Sequence, residues 1–128
     1  MVDRGARGAK ATTKIHFLLT KNEMADDGDI LAGLRPNYLA RLEARVADLR
    51  TFAAALEKGT LDAQQHIELH RLTHSMASSA AIFGHAGLSA AANAAEKVVD
   101  ASSASIDQQC LALSRLVEEA GRVLATAA

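Results

Sequence analysis

A chain of 128 residues is long enough for one domain with one core, and its formal charge of −1 excludes any broad attraction to polyanions. Hydrophobic residues make up 49% of it but aromatics only 3%, with one proline and alanine the commonest residue, a mix that favours helices over strands. The single cysteine, Cys110, excludes an internal disulfide and suits a reducing compartment, so a cytoplasmic protein is expected. No apolar run approaches the length needed to cross a membrane, and no membrane partner is expected.

Residues 1–23 carry five Lys/Arg against two Asp/Glu, a balance of +3, which leaves nine cations against thirteen acids, −4, for residues 24–128. The apolar piece Ile15 to Leu19 is shorter than a signal-peptide core, and no small-residue cleavage site follows it. The stretch reads as a flexible or non-native extension. Two alternatives stay open: Met24 opens a plausible protein of its own, and Ile15, Phe17 and Leu18 suit a short added helix. The basic residues are few and lack interleaved aromatics, so no nucleic-acid partner is expected.

Residues 25–35 are expected to form a short helix. Asp26, Asp27 and Asp29 suit its positive N-terminal end, and Ile30, Leu31 and Leu34 give it one apolar side, so it is placed as a lid across the end of a bundle. A second helix starts at Pro36, a residue suited to a first helical turn. Its apolar positions, Leu39, Leu42, Val46, Leu49, Ala53 and Leu56, alternate three and four apart, and Lys58-Gly59 ends it. Tyr38 is expected to pack at the bundle end. A third helix runs from an N-cap at Thr60 to Phe83, where Gly84 stops it. The fourth covers about Ala86 to Ala101, with Leu88, Ala91, Ala95 and Val98 inward. Ser105 and Gln108 have capping-box spacing ahead of a fifth, which carries Ile106, Cys110, Leu113, Val117, Ala120 and Leu124 on one face. On that face Cys110 reads as a small buried hydrophobe. Short loops force the long helices to pack as antiparallel neighbours. The expected fold is therefore all-α: an up-down-up-down four-helix bundle with a short N-terminal lid helix, residues 24–128 forming a single domain.

The chemistry concentrates between Leu69 and Leu88. At about 100° per residue, Leu69, Leu72, Met76, Ser79 and Phe83 fall on one side of the third helix and His74 points away from them. His70, Ala77, Ser78 and Ala81 lie beside His74. One exposed imidazole inside a collar of small side chains leaves room for a large body to approach the ring. A neutral imidazole is a competent nucleophile near neutral pH.

These residues resemble the histidine-containing phosphotransfer (HPt) domains of bacterial multistep phosphorelays. The matching positions are His74, Met76 two residues on, Ser78 and Ser79, Gly84 ten on and Leu88 fourteen on, with Glu96 as an acid in the next helix. The motif covers about a fifth of the chain. Many members place Lys three residues after the histidine and Gly four after it, where this chain has Ala77 and Ser78. The resemblance implies a phosphorelay intermediate that accepts a phosphoryl group on His74 from a receiver-domain aspartate and passes it to another receiver. It implies a carrier rather than an enzyme, with no cofactor of its own and Mg²⁺ supplied by the receiver. Response-regulator receiver domains and a hybrid sensor histidine kinase are the implied partners, and a monomer is expected. Docking is expected around His70, Arg71, Ala77, Ser78, Ala81 and His85, with Arg71 partly replacing the family's lysine and Ser78 a candidate to hydrogen-bond the phosphoryl group.

Two other readings are compatible with the residues. One is a helical protein-interaction module that has lost phosphotransfer. The other is a metal-binding bundle through His66, His70 and His74, whose spacing of four is that of paired helical ligands. Each step of four drifts by about 40°, so His66 and His74 stand about 80° apart, a poor geometry for one ion.

Overall fold

The computed structural model describes residues 24–101 and 103–127, and the extension expected over residues 1–23 lies outside them. Four α-helices carry the described chain: α1 (Met24–Lys58), α2 (Ala63–Ile82), α3 (Ala86–Asp100) and α4 (Ile106–Ala127). There is no strand among the described residues. The described chain divides into two units, one ending at Pro36 and one beginning at Asn37.

The helix expected over residues 25–35 is not a separate element. It is the first part of α1, and Pro36 lies inside that helix rather than at its start. A proline lacks the N–H that would bond the carbonyl four residues back, here that of Ala32, but a helix can continue across that one lost bond. The boundary between the two units falls at the same residue.

The described residues from Asn37 onward form the four-helix bundle, and its core draws on every helix. Leu42, Leu49, Leu69, Met76, Leu88, Leu113 and Leu116 are the largest apolar side chains in it that are essentially closed to solvent. Tyr38 is buried beside its end, with its ring stacked on Phe83 at 4.2 Å and on His85 at 5.8 Å between centroids. That end packing is as expected.

The turns explain themselves locally. After α1, the Gly59 N–H donates to the Leu56 carbonyl and the Thr60 N–H to that of Ala55, with Gly59 at φ 70°. After α2, Gly84 donates to Ala81 and His85 to Ala80, with Gly84 at φ 79°. Both are Schellman closures, which need a left-handed residue that glycine supplies without strain. The N-cap of α2 is Asp62, not Thr60. The Gln65 N–H donates to Asp62 Oδ1 and the Asp62 N–H to Gln65 Oε1, a complete capping box. The hydroxyl of Thr60 instead donates to Ala55 O at 3.3 Å, closing the preceding helix. Before α4, Ser105 and Gln108 form the expected box, at 2.8 and 3.1 Å.

The buried stripes differ in register from the expected ones. On α2 the buried residues are Leu69, Thr73, Met76, Ala77 and Ala80, while Leu72, Ser79 and Phe83 are half-buried. The stripe has turned by roughly 60° towards α3. Its new members are small, and they face the small inward residues of α3, Ala92 and Ala95 beside Leu88. Small side chains on both helices permit close approach, which buries even Thr73, whose hydroxyl donates to His70 O at 2.9 Å. On α3, Ala92 and Val99 are buried and Ala91 and Val98 only half so. On α4, Leu116 and Val123 join Leu113 and Ala120 in the core, whereas Ile106 is exposed and Cys110 half-buried.

Candidate functional site

His74 sits beyond the middle of α2, two turns before its end, so its backbone is held on both sides by helical hydrogen bonds. Its side chain is 67% exposed. The ring is nonetheless fixed in orientation, because Nδ1–H donates to Glu96 Oε2 at 2.9 Å. Glu96 lies on α3, and its side chain is only 21% exposed. A carboxylate can only accept, so this bond places the neutral ring's proton on Nδ1 and leaves the Nε2 lone pair pointing away from Glu96.

The same carboxylate oxygen meets a second histidine. His70 Nε2 lies 3.4 Å from Glu96 Oε2 and 3.9 Å from Asp100 Oδ1. Two ladders with a spacing of four therefore face each other, His70 and His74 on α2 and Glu96 and Asp100 on α3. The spacing was visible in the sequence; that the ladders face each other follows from the rotated stripe. His66 and His70 line a cleft of about 470 Å³ with Asp100, and His74 is not part of that lining. Among the described residues no group of three or more His, Cys, Asp or Glu side chains is placed to hold a metal ion.

The expected collar is present in part. Ser78 and Ala81 are exposed, and Arg71 is exposed one turn before His74. Ala77 is not part of this surface. It is buried against α3, and the Ser89 hydroxyl donates to its carbonyl at 3.0 Å. The turn of the stripe towards α3 is the cause. Ser78 Oγ donates to the His74 carbonyl at 3.3 Å, a bond within the helix that directs the hydroxyl at the backbone. His85 lies beyond the end of α2 as the N-cap residue of α3, stacked on Tyr38 and not in the ladder around Glu96.

Behind the histidine face lies a polar contact that sequence reasoning missed. Arg45 of α1 donates to Ser75 Oγ at 2.8 Å and to Ser79 Oγ at 3.4 Å. Burial, and secondarily Arg41, hold the Arg45 guanidinium below its ordinary value, with Tyr38 acting the other way. The available signal was two serines spaced by four on α2 opposite a basic position on the neighbouring helix. This contact occupies Arg45 on the α1 side and leaves Arg71 as the arginine nearest to His74 in the sequence of α2.

The chain matches no family model, no curated protein and no solved structure. Among the described residues no helix is long and apolar enough to cross a membrane.

Proposed function

We propose that the chain is a phosphorelay intermediate of the HPt kind, carrying a phosphoryl group on His74 between receiver domains. One observation carries the reading most: an exposed imidazole whose Nδ1–H is held by a shielded carboxylate, so that Nε2 faces outward as a free lone pair. The exposed small residues Ser78 and Ala81 support it, because they leave space over the ring.

In the transfer, the Nε2 lone pair attacks the phosphorus of a receiver's aspartyl phosphate. The N–P bond forms as the P–O bond to the aspartate breaks, and the aspartate leaves as a carboxylate. Positive charge develops on the ring, and Glu96 offsets it through Nδ1–H. The return step to a second receiver reverses these changes. Positioning does most of the work in phosphoryl transfer, and a ring fixed at both its backbone and Nδ1 meets that need. The receiver supplies the Mg²⁺, so the chain acts as a carrier rather than an enzyme. Its partners are response-regulator receiver domains and a hybrid sensor histidine kinase, meeting the face around His70, Arg71, Ser78 and Ala81.

The reading is tested by mixing the protein with a radiolabelled, phosphorylated receiver domain from the same cell. Label that moves to the wild type, is acid-labile and alkali-stable, and is absent from His74→Gln supports it. Label that stays on every receiver tested refutes it and favours an interaction module of the same fold.

A further inference from the structure

We infer that the outer groove between α3 and α4 is a second docking site, for an acidic amphipathic helix of a partner protein. This inference does not rest on the phosphotransfer reading. The groove holds about 670 Å³ and lies along Ala90, Ala94 and Val98 of α3 and Leu111 of α4. Leu111 is 54% exposed, a large apolar side chain on a rim with nothing described above it. The alanines keep the floor low, so that a helix laid in it brings its own apolar face into contact over about two turns.

Charge selects the occupant. Among the described residues the charged ones lining the groove are Lys97 and Arg115, both cations, in a part of the chain that carries −4. Neither has an ion-pair partner among the described residues. An apolar floor flanked by these two cations is complementary to a helix with Asp or Glu beside its apolar stripe. A second copy bound about a two-fold axis brings the same cations face to face, which disfavours it. The segment 1–23, at +3, shares the groove's sign.

The site is also separate from the histidine face. Glu96 and Lys97 are neighbours on α3, about 100° apart around its axis. Glu96 turns to His74, and Lys97 turns to the groove. One protein can therefore be held through α3 and α4 while another meets His74.

The test uses the full chain, ¹⁵N-labelled, and two designed helical peptides with the same leucine stripe, one flanked by glutamates and one by lysines. Titration followed by amide NMR is expected to show shifts confined to Ala90–Val98 and Leu111–Arg115 with the acidic peptide, and none with the basic one. The paired change Lys97→Glu with Arg115→Glu is expected to weaken the acidic peptide at least about tenfold and to admit the basic one. Leu111→Glu, at an exposed position, is expected to abolish binding while leaving the circular dichroism unchanged. Shifts outside the groove, equal binding of both peptides, or binding indifferent to these variants overturns the inference. So does a concentration-dependent dimer lost in Leu111→Glu, which would make a second copy the occupant.

Discussion

Removing the Glu96 carboxylate is the sharpest perturbation of the histidine site. In the wild type the His74 Nδ1–H bond to Glu96 spans 2.9 Å, with the imidazole 67% exposed and the carboxylate 21% exposed. Hydrogen bonds to charged groups contribute about 1.5–3 kcal/mol when shielded, and exposed ion pairs roughly 1 kcal/mol or less. The ring is mostly in water, so about 1 kcal/mol is the fitting figure, equivalent to about fivefold in the ratio of the two neutral tautomers. Glu96→Ala is therefore expected to lower the ratio of the Nδ1–H to the Nε2–H tautomer by about that factor and to slow transfer from a phosphorylated receiver by up to a similar factor. Glu96→Gln keeps an acceptor and falls between. The assay pairs ¹⁵N chemical shifts of the ring with single-turnover transfer rates. A Glu96→Ala protein that folds normally and shows unchanged ring shifts and an unchanged rate refutes the orienting role.

Three further outcomes test the fold. Leu113→Ala removes a fully buried side chain and is expected to cost about 3 kcal/mol, seen as a melting temperature lower by roughly 10 °C; a loss below about 1 kcal/mol would contradict its place in the core. Asp62→Ala breaks a complete capping box and is expected to cost about 1 kcal/mol in denaturant unfolding, whereas Thr60→Ala costs about half that or less, and the reverse order would restore Thr60 as the cap. Burial, then Glu57 and Asp107, pushes the Cys110 thiol up from its ordinary value. A raised acid holds its proton more tightly in the folded state, so its contribution is complete below the unfolded value and is lost as pH rises through the folded one. Alkylation of Cys110 in the folded protein is accordingly expected to rise at higher pH than in the urea-unfolded protein, and coincident pH profiles would contradict this.

Much of the fold was legible because its signals are local. Glycine after a helix marks a left-handed closure, and Gly59 and Gly84 close α1 and α2 in that way. A serine three residues before a glutamine marks a capping box, and Ser105 and Gln108 make one. Pro36 misled because a proline suits a first turn and is also tolerated within a helix, and the residues beside it do not decide between the two. Thr60 misled because its side chain also serves the end of the helix before it. The stripes were misplaced for a different reason. Hydrophobicity ranks Leu72 above Thr73 and Ala77, but close helix packing selects size, and only the facing alanines of α3 reveal that choice. The same turn removed Ala77 from the expected docking face and brought Glu96 to His74. Glu96 was visible as an acid in a suitable helix; its bond to Nδ1 depends on the rotation.

The most direct measurement is the site of phosphorylation itself. Wild type, His74→Gln and His70→Gln are each exposed to a phosphorylated receiver and mapped by tandem mass spectrometry under alkaline conditions. A phosphoryl group is expected on His74 in the wild type and in His70→Gln, and none in His74→Gln. Phosphate on His70, or on no histidine in any of the three proteins, would contradict it.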